Sequence, residues 1–170
     1  MERKRKLISL IIALDDMMHA EVACDILFAS EINEEDPLYQ PILTAVIVSY
    51  ARPFKKNKKL IPLSPEWCSW HNESQKELHR QMIGLRDTAL AHSDSSMHTV
   101  RISPVFVNGE RASDLIKTTV GSGDLSARNI PGILALIRES MQRLDREKIR
   151  LINELCPSHS LPDTGIQLEI

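Results

Sequence analysis

The run Leu85-Arg86-Asp87-Thr88-Ala89-Leu90-Ala91-His92-Ser93-Asp94 sets a permanent cation, a carboxylate and an imidazole within two helical turns. The planar guanidinium fork matches phosphate oxygens. Histidine exchanges a proton near neutral pH without special tuning. Together Arg86 and His92 have the makings of a site that binds a phosphodiester and moves its protons. That is phosphate chemistry without a metal. On one straight helix, however, six residues put them roughly 120° apart around the axis and ~9 Å apart along it. Two arrangements bring them together. Either the helix ends near residue 91 and His92 folds back, or two copies cross in a symmetric dimer and share one cleft. The plainer readings are a solvated Arg-Asp face, a histidine complementing the helix dipole, and an ion pair from Arg86 to Asp15 or Asp16. A further one keeps the segment for folding, with Arg86 and Asp87 tying helices and Ser93 and Asp94 capping the next turn.

Other side chains surround this core of the reading. Arg52, Lys55, Lys56, Lys58 and Lys59 are the basic cluster best suited to track an RNA backbone, because affinity for phosphates comes mainly from released counterions. A solvated loop is its ordinary explanation. Tyr50 suits stacking on a base or donating to a phosphate, and equally a hydrogen-bonded core position. His79, two turns before Arg86, can line the same cleft or be structural. Trp67 and Trp70 read as packing residues. Cys68 and His71 form a lone Cys-x-x-His, and a structural zinc site normally needs four ligands. No matching second pair is visible in the sequence, so neither metal nor cofactor is expected.

The elements that must position these residues read as helices. In the 170-residue chain, 42% of residues are hydrophobic and 26% charged, the balance of a globular protein. Aromatics are only 4%, so the core must come from Leu, Ile, Val, Met and Ala, which favours helix packed on helix. A net charge of −2 gives no global attraction to nucleic acid, and any such binding must rest on a local patch. Three widely spaced cysteines form no disulfide framework and suit a reducing compartment. The basic start and the apolar run after it lack the small-residue cleavage site of a signal peptide. No stretch approaches the ~20 apolar residues of a membrane span. A cytoplasmic protein without membrane contact is expected.

Periodicity predicts a first helix over 4–30 with Leu7, Ile11, Leu14, Met18, Val22 and Ile26 on its buried face. Asp36-Pro37 reads as a helix start, followed by an apolar central helix over 38–51 that Pro53 ends; a buried strand is the competing assignment there. A third helix starts near Ser64 or Asn72 and reaches about residue 91, with Leu78, Met82, Leu85 and Ala89 inward and Ile83 and Leu90 widening the stripe. The β-formers of 99–107 and the Asn108-Gly109 turn signal predict a short hairpin or irregular arm, with Pro104 restricting it to an edge. A last helix over 129–155 carries Ile130, Leu134, Ile137, Met141, Leu144, Leu151 and Leu155 on a line suited to a partner helix. The expected layout is one all-α domain over 1–156 with an insertion at about 97–127, and a loose tail over 157–170.

The segment 85–94 resembles the arginine-to-histidine motif of HEPN domains, in which four to six residues separate Arg from His near a helix end. Five separate Arg86 from His92, and Asp87 matches the polar residue that often follows the family's arginine. Val46-Ile47-Val48-Ser49-Tyr50-Ala51-Arg52-Pro53-Phe54 is similar to a stretch that precedes the motif in bacterial HEPN-like proteins of the AbiU2 phage-resistance group. The resemblance implies an antiparallel helical bundle that forms a homodimer so that two motifs meet. It implies a metal-independent endoribonuclease of toxin or phage-defence type. Arg86 would hold the scissile phosphate, His92 would serve as general base or acid, and Asp87 would orient either side chain. A protein antitoxin is a possible partner of such proteins. Some HEPN toxins carry a tyrosine two positions after the histidine, a target for nucleotidyl transfer by a partner antitoxin; here that position is Asp94, so this form of control is not expected. The alternative is a non-catalytic helical dimer that binds RNA, nucleotide or a protein partner.

Overall fold

The computed structural model describes residues 2–64, 67, 72–87, 98–108, 110–120 and 125–155, with the backbone alone at 98–102 and 114–120. His92, the Cys68/His71 pair, Trp70 and the tail over 157–170 lie outside the described residues. Four α-helices and one antiparallel β-ribbon are seen among the described residues: α1 (Glu2–Ala29), α2 (Tyr39–Ala51), α3 (Glu73–Leu85), β1 (His98–Val107), β2 (Glu110–Val120) and α4 (Ile130–Leu155). The architecture is mostly helical with a small hairpin. None of these helices is long and apolar enough to cross a membrane.

Helix α1 packs against both α2 and α4. Its inward line is Leu7, Leu10, Ala13, Met17, Ala20, Cys24 and Leu27, which corrects the face expected from the sequence. Ile11, Met18, Val22 and Ile26 are exposed instead, and Leu14 is only partly buried. Both lines repeat at three- and four-residue steps, so period alone does not choose between them. Side-chain size does. Ala13, Ala20 and Cys24 are small enough to let two helices approach α1 closely, whereas Ile, Met and Val on that side would hold them off. Arg138 fastens the α1–α4 seam through Glu21 at 2.7 Å and Asp25 at 3.1 Å, and Lys6 reaches Glu147 at 2.9 Å.

Helix α2 is the central helix, with Tyr39, Leu43, Val46, Ile47, Tyr50 and Ala51 buried. The strand alternative is thereby excluded. Asp36 does accept from the Leu38 N–H at 2.8 Å, but this bond forms a turn, and the helix begins at Tyr39 without a side-chain cap. Pro53 does not displace the preceding residue either. Arg52 stays helical at φ −56°, and the chain tightens into a 3₁₀ turn over Arg52–Phe54, because proline is tolerated within the first turn of a helical segment, where its missing N–H has no intrahelical acceptor to lose. That turn aims the loop after it back toward α1.

Asn72 caps α3 by accepting from the Gln75 N–H at 2.8 Å, and Leu78, Met82 and Leu85 face the core as expected. In α4 the buried face is broader than the expected line. Ile133 and Leu136 join Ile130, Leu134, Ile137, Leu144 and Leu151, while Leu155 is exposed. Ser126 and Asn129 form a capping box before this helix. The partner of α4 within the chain is α1. The ribbon is a regular pairing from His98↔Val120 to Val107↔Glu110, with a bulge after Val105. It is longer than the short or irregular arm expected. Asn108 takes φ 52°, the positive value that a two-residue hairpin turn requires. In a two-stranded sheet both strands are edges, so Pro104 is tolerated opposite Asp114.

Candidate functional site

A cleft of about 190 Å³ opens where α1, the Arg52–Phe54 turn, the loop after it and the end of α3 meet. Its polar lining includes Ser9, Asp16, Arg52, Lys55, Lys56 and Arg86. Four cations from two separate stretches of sequence therefore face one concavity. Each arrives by a local cause. The turn forced at Pro53 swings Arg52 and Lys55 toward α1. Ser9 pins the returning loop by accepting from the Ile61 N–H at 2.9 Å while donating to the Arg5 carbonyl at 2.9 Å. Arg5 holds the same loop by donating to the carbonyls of Lys59 at 2.7 Å and Lys58 at 3.2 Å.

At Arg86 and Asp87 the end of α3 widens into a π-type turn, a local distortion found often at functional sites. Arg86 is about one-third exposed and donates to Asp87 at 3.1 Å. Lys55 also donates to Asp87, so one carboxylate gathers two cations. The Lys55 hydrogen bond, reinforced by Arg86, holds Asp87 below the usual carboxylate range against the opposing effect of its slight burial. Asp87 consequently stays ionised and occupies the kind of position that an anionic ligand oxygen would take.

Asp16 is 5% exposed and pairs with the far more exposed Arg52. Of the two acids that the sequence offers to Arg86, Asp16 thus serves Arg52, and Asp15 is exposed, with His19 one turn away at 3.7 Å. A buried carboxylate needs a paired cation, so Arg52 is held at the rim of the cleft with part of its guanidinium facing outward.

His92 lies outside the described residues, and the expected site residues that are described divide into two groups. Arg86, Asp87, Arg52 and Lys55 are joined by ion pairs in and beside the cleft, and Lys56 lines it. Lys58 and Lys59 do not line it; their contribution is the backbone carbonyls that anchor Arg5. Tyr50 is fully buried, which corrects the expectation that it contacts RNA. Its hydroxyl meets His79 Nδ1 at 2.8 Å, and the His79 ring packs edge-on against Phe54 with centroids 4.8 Å apart. His79 sits behind the cleft, outside its lining. Burial first, and the Lys55 charge second, push its pKa below the ordinary imidazole value. This Tyr50–His79–Phe54 cluster braces the turn that presents Arg52 and Lys55.

Sequence reasoning missed Ser9, Arg5 and the buried role of Asp16. An acid interrupting an apolar helix face was the available signal for Asp16. Nothing local marked Ser9 or Arg5, whose partners are more than fifty residues away. Among the described residues, no group of three or more His, Cys, Asp or Glu is arranged to hold a metal ion. Trp67 packs against the core, as expected, beneath Lys6 at 5.0 Å from the ring centroid.

Compared with known proteins, the chain matches no family model, no curated protein and no solved structure.

Proposed function

We propose that the cleft binds the backbone of single-stranded RNA and that Arg86 and His92 cleave it without a metal, as a homodimeric HEPN-like endoribonuclease of toxin or phage-defence type. The observation that carries the binding part is the convergence of Arg52, Lys55, Lys56 and Arg86 on one cleft in a chain of net charge −2. Local concentration of cations is what a phosphodiester requires when the whole molecule offers no attraction. The catalytic part rests on the resemblance of the 85–94 segment and on the chemistry of its two side chains.

In this reading Arg86 donates to the non-bridging phosphate oxygens and stabilises the charge that develops on them. His92 takes the proton of the ribose 2′-hydroxyl as that oxygen attacks phosphorus. The new bond is 2′-O–P and the bond that breaks is P–O5′, with a proton delivered to the leaving oxygen. The products are a 2′,3′-cyclic phosphate and a 5′-hydroxyl. Asp87 releases Arg86 and Lys55 as phosphate oxygens replace its carboxylate.

One observation favours a second reading, a non-catalytic HEPN-like dimer that binds RNA, nucleotide or a protein partner. Asp87 already neutralises part of the cleft, which opposes an incoming phosphate. Incubation of the protein with RNA in EDTA separates the two. The nuclease reading expects fragments ending in cyclic phosphate that disappear in both Arg86→Ala and His92→Ala. RNA bound but left whole by the wild-type protein would contradict it.

A further inference from the structure

We infer that the RNA strand seated in the cleft continues into a second groove on α4, where Trp67 carries a base and Arg146 holds the phosphate beside it. The inference rests on the reading of the cleft as an RNA site and adds a subsite which that reading does not use. The groove has a volume of about 680 Å³ and is lined by Trp67, Arg143, Arg146 and Arg150, with Glu139 and Glu147 among them.

Steps of three and four put Arg143, Arg146 and Arg150 on one face of α4. Arg143 pairs with Glu139 at 2.6 Å and Arg150 with Glu147 at 2.5 Å. Arg146 spends one N–H on the Gln142 carbonyl at 3.2 Å and has no carboxylate partner among the described residues. Most of its planar fork of donors is therefore left for a phosphate. Trp67 is held in place by a turn, its N–H donating to the Ser64 carbonyl at 3.0 Å, and by packing against the core. Lys6 adds a cation 5.0 Å from the ring centroid. An aromatic platform beside cations is how a protein holds a single strand without reading its sequence.

The groove is continuous with the cleft. A small hollow lined by Lys6, Ser9, Ile61, Pro62 and Trp67 lies between the two. Ser9, Ile61 and Pro62 also line the cleft, and Trp67 also lines the groove. The loop pinned by Ser9 is thus a low saddle with a basic concavity on each side. Asp16 in the cleft and Lys6 beside Trp67 are about 15 Å apart along α1, a span of a few nucleotides. In the groove three arginines face two carboxylates, and in the cleft Arg52, Lys55, Lys56 and Arg86 face Asp16 and Asp87. Both therefore keep an excess of positive charge in a chain of net charge −2. Arginines alone would suit an acidic peptide equally well. The aromatic ring set between two basic concavities favours a nucleic acid strand.

Fluorescence anisotropy with 2′-O-methyl RNA, which lacks the attacking hydroxyl and stays whole, tests the inference. Strands of about 4 and about 16 nucleotides span the usual range of single-strand site sizes. Arg146→Glu is expected to weaken the long strand several-fold and to leave the short one, which fills only the cleft, unchanged. Arg128→Glu makes the same charge change about 27 Å away along α4 and should alter neither. In a Trp70→Phe chain the long strand should quench the fluorescence of Trp67 and the short one should not. Long-strand binding that falls in Arg86→Ala but not in Arg146→Glu overturns the subsite and leaves the cleft reading standing. Binding unchanged in both variants, or absent from the wild type, overturns the cleft reading and the subsite with it. Quenching of Trp67 by a nucleoside monophosphate as strong as by the long strand would make the groove a separate nucleotide site. Poly-glutamate that displaces the long strand equally well would make it a protein-docking surface. Either of these last results overturns the continuous strand.

Discussion

Asp87 is the residue on which the behaviour of the cleft turns, because it holds Lys55 and Arg86 with one carboxylate. Replacing it with asparagine keeps the shape, removes the negative charge and frees both cations. Asp87→Asn is expected to bind single-stranded RNA several-fold more tightly at low salt, measured by fluorescence anisotropy, with little change in thermal stability. Equal or weaker binding would mean that the cations do not touch the RNA. His79 supplies a pH dependence. Its folded pKa lies below the ordinary value of 6.5 because of burial and then Lys55. Below pH 6.5 the unfolded chain therefore binds the proton first, and stability falls as pH drops from 6.5 toward the folded pKa. Denaturant midpoints measured between pH 7.5 and 5.5 should decline in the wild type and stay flatter in His79→Gln. Tyr39 gives a prediction of opposite sign from Tyr50. Its buried hydroxyl has no hydrogen-bond partner among the described residues, and burial raises its pKa to about 12. Tyr39→Phe removes an unsatisfied polar group and is expected to be neutral or to stabilise by about 1 kcal/mol, whereas Tyr50→Phe breaks the bond to His79 and should destabilise.

Among the elements, the short turn after α2 does most to assemble the site. Pro53 converts a helix end into a 3₁₀ turn, and the buried Asp16 fixes its orientation through Arg52. Arg52→Ala leaves a carboxylate at 5% exposure without its cation and is expected to cost about 1–3 kcal/mol, read from chemical denaturation. The same change should reduce RNA binding, so stability and binding fall together at Arg52. They should separate at Lys56, which lines the cleft without holding a buried carboxylate among the described residues. The β1–β2 ribbon behaves differently. It packs chiefly on itself, and Val105, Phe106 and Val107 near its turn are exposed. A lone two-stranded ribbon is marginal in water. Amide hydrogens of 98–120 should accordingly exchange much faster than those of α1 and α4, and protection equal to the helices would show that the ribbon is docked.

At the scale of the whole chain, what could be read from sequence follows the range of the interactions involved. The helical class, the Asn72 start of α3, its Leu78–Met82–Leu85 face and the hairpin turn at Asn108 rest on local periodicity and turn chemistry, and these were legible. The buried face of α1 was not, because two apolar lines of equal period compete and only the bulk of neighbouring helices decides between them. The basic cluster was legible as a cluster, but its division was not. Lys55 and Lys56 face the cleft while Lys58 and Lys59 lend carbonyls to Arg5, a separation set by bonds that span more than fifty residues. Tyr50 suits core and surface equally by type, and only its packing with His79 assigns it to the core. The central claim is that Arg52, Lys55, Lys56 and Arg86 act as one RNA-backbone site, and the salt dependence of RNA affinity tests it most directly. The slope of log affinity against log salt should be steep in the wild type. It should become shallower by about 0.7 for each phosphate left without its cation in Lys55→Ala, Lys56→Ala and Arg86→Ala. Binding with an unchanged slope in all three variants would contradict it.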